Sequence, residues 1–165
     1  MKKHSITFAL IITMIIFVTG CNRTTNAIVD YNNEFLVEDY SKALNTFLKL
    51  SDDFGEQVEK EQMDTVAHEA YLQEQLIPQA KQLVKLVHDV KIDNEVVQDL
   101  HQLLIDAEEN RLQALENEYE YIQDLEKVDI IEKADENVLE SERKMDEFIK
   151  KLDQLKDEYN IEDDD

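Results

Sequence analysis

DIIEKADENVLESERKMDEFIKKLDQLKDEY, residues 129–159, decides the fold. Within it Ile131, Ala134, Val138, Ser141, Met145, Phe148, Leu152, Leu155 and Tyr159 follow one another in alternating steps of three and four. That spacing gathers the apolar and small side chains on one stripe of a helix and leaves the rest charged. Asp129, with Glu132 three positions on, has the form of a capping box and predicts the helix start.

Working upstream, the same period recurs three more times. After an Asp93-Asn94 cap, Val97, Leu100, Leu104, Leu112, Leu115, Tyr119 and Ile122 mark a helix running to about Leu125. Its seam is interrupted at Glu108 and Arg111, which read as a drift of the stripe with both side chains snorkelling to solvent, with a buried functional pair as the alternative. Met63, Val66, Ala70, Ile77, Ala80, Val84 and Val87 mark another, in which Pro78 predicts a kink or short break because it lacks an amide proton and crowds the preceding turn. The first helix reads from Tyr31 to Phe54 on Leu36, Tyr40, Ala43, Phe47, Leu50 and Phe54, with Gly55 as a left-handed stop. Residues 56–62 are either a polar loop or a continuation of that helix.

Beyond residue 20 the only backbone punctuators are Gly55 and Pro78. A β protein of this length needs many more turns. The expectation is an all-α chain, an antiparallel up-down bundle of four helices, with three long helices as the alternative. The bundle is read over residues 27–160, with residues 161–165 as an acidic tail.

The N-terminal segment has a different character. Met1-Lys2-Lys3-His4 is positive, and Ile6 to Val18 is an almost unbroken apolar run. Spanning a membrane takes roughly 20 apolar residues, so this run reads as an export signal over residues 1–20. It ends in Val18-Thr19-Gly20-Cys21, which resembles the lipobox of bacterial lipoproteins, with Val18 where that pattern more often has Leu. The resemblance implies that Val18, Thr19 and Gly20 are recognised by the lipoprotein signal peptidase. It also implies that Cys21 receives a diacylglycerol thioether and becomes the mature N-terminus, with residues 21–26 forming the lipidated cysteine and a short tether. A doubly acylated anchor is durable because each buried CH₂ contributes about 0.8 kcal/mol. The location expected is the extracytoplasmic face of the cell membrane. Cys21 is the sole cysteine, so no internal disulfide, thiol nucleophile or thiolate metal ligand is expected.

Of 17 basic residues two lie in residues 1–20, which hold no acid, leaving 15 basic against 39 acidic residues and a formal charge of −24. Nucleic-acid binding depends on Lys and Arg neutralising phosphates, so it is set aside. The same repulsion opposes contact with anionic headgroups and wall polymers.

No catalytic set is evident. The serines beyond the signal, Ser41, Ser51 and Ser141, have no glycine-flanked elbow, and Ser141 reads as a small core residue. Bundle di-metal sites use Glu-x-x-His, but Thr65, Lys85 and Gln98 stand three residues before His68, His88 and His101. His68-Glu69 is followed by Leu72 where a zinc-protease helix needs its second histidine. His88 and His101 flank the turn at Asp93 and are a weak metal pair; the plainer reading makes both surface histidines. No cofactor and no enzyme activity are expected. Tyr119, Tyr121 and Tyr159 divide between packing and recognition, with Tyr119 assigned to packing.

With its lipobox, acidic helical body and Lys-Asp-Glu-Tyr ending at Lys156 to Tyr159, the chain resembles small helical lipoproteins of Gram-positive bacteria, a class that includes proteins described as cell-wall-binding. The resemblance implies envelope location and carries over no functional residue. The function expected is a non-enzymatic interaction module that binds an envelope protein through an exposed helix face. The alternative is a small-ligand or cation-binding lipoprotein, with a cavity near Pro78 or the turn between His88 and His101.

Overall fold

The computed structural model describes residues 23–60 and 64–161. Residues 1–20 with the lipobox residues Val18, Thr19 and Gly20, together with Cys21, Met63 and the tail from 162, lie outside the described residues. The rest forms four helical rods: α1 over residues 23–59, α2 over residues 65–89, α3 at Glu95–Gln123 and α4 at Val128–Tyr159. No strand occurs among the described residues.

Successive rods are antiparallel. Leu50 of α1 meets Tyr71 of α2, Val87 of α2 meets His101 of α3, and Asp106 of α3 meets Lys144 of α4. Backbone packing runs from α1 to α2, from α2 to α3 and most extensively from α3 to α4, and no comparable seam joins α4 to residues 31–59 of α1. The described residues therefore form an up-down-up-down bundle in which α4 stands apart from residues 31–59 of α1.

The helix ends follow side-chain chemistry. Asn94 accepts from the amides of Val96 and Val97 at 3.0 and 3.2 Å, and Asp64 accepts from Ala67 at 2.8 Å, each satisfying orphan donors of a first turn. α4 stops where Asn160 adopts a left-handed φ of 53°, which lets Ile161 donate back to the Lys156 carbonyl. Three expected boundaries move. Gly55 is an ordinary helical residue, because α1 continues to Glu59. Asp129 lies inside the first turn of α4 rather than capping it. Residues 23–26, read as tether, are helical and belong to α1, where Thr24 accepts from the Asn94 side chain at 3.3 Å.

Two stretches widen from α to π geometry, Tyr31–Tyr40 in α1 and Leu72–Leu76 in α2. In α2 the Ile77 amide reaches the Leu72 carbonyl, five residues back. The widened turn carries the chain into Pro78 with no interruption of the helix, so of the kink or short break expected there the break does not occur. It also adds one residue to the turn, so the stripe read from Ile77 towards the N-terminus slips in phase. Leu72 and Leu76 are fully buried, while Val66, placed in the stripe by a uniform α period, is 73 % exposed.

Burial is uneven along the rods. At the end holding the 90–94 turn, Ile28, Leu83, Val87, Val97, Leu100 and Leu104 are all closed from solvent. Towards the end where α1 stops and α3 turns into α4, Leu50, Phe54, Leu112, Leu115, Tyr119 and Ile122 are only partly covered.

Candidate functional site

Three arrangements carry polar chemistry or open space. The first is at the centre of the bundle, where α1 and α3, diagonal to one another, are bridged by long side chains. Tyr40 donates from its hydroxyl to Glu108 Oε1 at 2.5 Å, and Arg111 Nη1 lies 2.9 Å from both oxygens of the same carboxylate. Glu108 is 1 % exposed, and the Arg111 guanidinium sits 5.3 Å over the Phe47 ring. Burial pushes the Glu108 carboxyl above its usual range, and Arg111 and Tyr40 work against that rise. Burial also raises the Tyr40 hydroxyl, with the adjacent carboxylate adding to the effect. The reading of Glu108 and Arg111 as solvent-seeking charges is thus corrected. The interrupted seam of α3 marked a buried ion pair, and its signal was the (i, i+3) spacing opposite an aromatic on α1. The fully buried polar atoms of this trio all have partners, so the arrangement braces α1 against α3.

The second is His101, which was read as a surface histidine and a weak metal ligand with His88. It is buried between the rings of Tyr31 and Phe35, at 5.5 and 5.4 Å, edge-on to each. Nε2 lies 2.7 Å from the Val87 carbonyl, which can only accept, so Nε2 carries the proton and Nδ1 accepts from the Tyr31 hydroxyl at 2.8 Å. Val87 O is one of the carbonyls that the end of α2 leaves without an amide partner. Burial lowers the His101 pKa, with the bond to Val87 opposing. Both nitrogens are committed, and His88 instead pairs in the open with Glu109 at 2.8 Å. The histidine pair is therefore no metal centre, and no three His, Cys, Asp or Glu side chains converge on a metal position among the described residues. A cleft of about 320 Å³ near the 90–94 turn is edged by Asp30, Glu34, Asp39 and Asp93, which do not gather at a point.

The third is a groove where α4 stands away from α1. A cleft of about 450 Å³ lies between Phe47, Leu48 and Ser51 of α1, Arg111 to Glu118 of α3, and Ile131 to Glu142 of α4. A second, of about 330 Å³, continues it past Asp64 at the cap of α2, Thr65 and His68 of α2, Tyr121 and Ile122 of α3, and Leu125 in the turn to α4. The two share Glu118 and Ile131. Small side chains account for the opening: Ala114, Ala134 and Ser141 bring α3 and α4 together and leave nothing long enough to reach α1. Val138, predicted as core from its place in the α4 stripe, is 45 % exposed along this groove, and Leu48 faces it across the gap. Val66, Leu125 and Val128 are also exposed near the same end of the rods. Tyr119 and Tyr121 are both half-buried, Tyr121 on the groove wall and Tyr119 accepting from Gln123 at 2.8 Å.

No helix of the described residues is long and apolar enough to cross a membrane. No protein-family model, curated protein or solved structure significantly matches the chain.

Proposed function

We propose that this protein is a lipid-anchored, non-enzymatic interaction module on the extracytoplasmic face of the cell membrane, docking an envelope protein in the groove between α1 and α4. The groove carries the docking part of the reading. It is an apolar-floored channel on a chain of formal charge −22, and it lies at one end of the rods. The lipobox ending in Cys21 supports the anchoring part. On that reading the lipid sits next to the described start of α1, and Phe47 stands about 33 Å along the rod from Arg23, at about 1.5 Å per α-helical residue and less over the π stretch. The groove would then face away from the bilayer, where a partner can reach it, and helix-in-groove recognition uses a channel of this kind.

Affinity capture tests the reading. The protein purified in mild detergent is immobilised, exposed to solubilised envelope extract and compared with the Leu48→Gln/Val138→Gln variant. One protein retained by the parent and lost by the variant is expected. Equal retention on both would place the docking surface elsewhere, and no retained protein at all would contradict the module.

A further inference from the structure

The identity of the occupant rests on the groove being a docking surface. We propose that it takes a basic amphipathic helix of another protein, about three turns long. The floor is apolar, formed by Phe47, Leu48, Leu115, Ile131 and Val138, while the rim carries Asp64, Glu118, Asp135 and Glu142. Among the described residues Arg111 is the only Lys or Arg lining either cleft, and its charge is already matched by Glu108 and stacked on Phe47. Asp64 caps α2 and Glu118 meets His68 at 2.9 Å, so the negative charge without an ion-pair partner among the described residues is that of Asp135 and Glu142, beside the apolar strip. A helix with one apolar stripe flanked by Lys and Arg complements it in both respects. From Ile131 to Glu142 the wall runs about 16 Å, or three turns. A second copy of this chain would bring its own −22 charge against the same acids, which argues against self-association.

Fluorescence anisotropy at 0.15 M salt with the protein in nonionic detergent tests the proposal. The probe is a labelled, amidated 14-residue peptide of Leu and Lys with the leucines at i, i+3, i+4 and i+7. One control peptide has the same composition without a stripe, and another keeps the stripe with Glu in place of Lys. Saturable one-to-one binding of the striped Lys peptide is expected. It should weaken at least tenfold with the stripeless peptide and with Asp135→Lys/Glu142→Lys. It should weaken less than threefold with Asp153→Lys/Asp157→Lys, which makes the same charge change at the other end of α4.

Equal loss with both double variants, or equal binding of the stripeless peptide, would reduce the effect to diffuse attraction and overturn the proposal. Equal binding of the Glu peptide would remove the basic requirement. If the striped Lys peptide fails while a captured envelope protein is still lost on Leu48→Gln/Val138→Gln, the groove stands and the basic occupant falls. If both fail, the docking reading falls with it.

Discussion

Tyr40 reaches Glu108 from the same widened segment that brings Tyr31 to His101, so residues nine apart on α1 meet residues seven apart on α3. Seven α-helical residues rise about 10.5 Å and nine would rise about 13.5 Å. The π geometry of Tyr31–Tyr40 places more residues in each turn and closes that mismatch. The two polar bridges and the irregular helix are therefore one device, holding parallel diagonal helices in register.

The buried ion pair should behave asymmetrically. Arg111→Met leaves Glu108 buried beside a single hydroxyl donor and is expected to cost about 3–5 kcal/mol. Tyr40→Phe removes one hydrogen bond to a charged group and should cost about 1.5–3 kcal/mol. Replacing all three partners, as Tyr40→Phe/Glu108→Leu/Arg111→Met, should recover most of the loss seen with Arg111→Met. Urea unfolding of the three variants checks this, and a combined variant weaker than Arg111→Met would contradict it.

His101 sets a pH dependence of definite sign. Its folded pKa lies below the ordinary 6.5 because burial disfavours the cation. As pH falls through 6.5 the unfolded chain takes up a proton that the folded chain refuses, so stability declines until the folded value is reached. Above 6.5 the contribution is complete. Glu108 has the opposite sign, since a carboxyl raised on folding favours the folded state at low pH and loses that contribution as pH rises through its folded value. The difference in urea midpoint between the parent and His101→Gln should therefore shrink on acidification from pH 7.5 to pH 5, because Glu108 and the other acids are common to both proteins and cancel in the comparison.

The widened turn before Pro78 predicts a coupling. Deleting Gln75 restores α geometry over Leu72–Leu76 and leaves both flanking stripes in phase, but it returns the proline ring to a clash worth about 3 kcal/mol. Adding Pro78→Ala to the deletion should bring stability back to within about 1 kcal/mol of the parent. Deleting Gln82 from the regular part of α2 would rotate Leu83 and Val87 away from the core and should unfold the helix. Thermal melts followed by circular dichroism distinguish the three.

Anchoring has its own test. Cys21→Ala should leave the exported protein in the aqueous phase of a detergent partition, while the parent enters the detergent phase. Complete partition of the variant into detergent would contradict lipidation at Cys21.

The periodicity of residues 129–159 was enough to read α4 and, repeated upstream, four antiparallel helices. What periodicity could not show is where the period changes. A π turn displaces the stripe without any local residue announcing it, so Leu72 and Leu76 were missed and Val66 was misplaced. Asn94 was readable as a cap because its chemistry is local. Glu108, Arg111 and His101 were misread because their burial depends on Tyr31, Tyr40 and Phe47, about 65 to 70 residues away in sequence. The groove arises from small side chains, and a stripe containing Ala134 and Ser141 looks the same whether or not a fourth helix closes over it.

Photocrosslinking in intact cells tests the docking claim most directly. A photoreactive amino acid is placed at Leu48 or Val138 on the groove, or at Lys85 on the exposed face of α2. The account predicts one discrete adduct from each groove position and none from α2. Adducts from α2 without any from Leu48 or Val138 would contradict it.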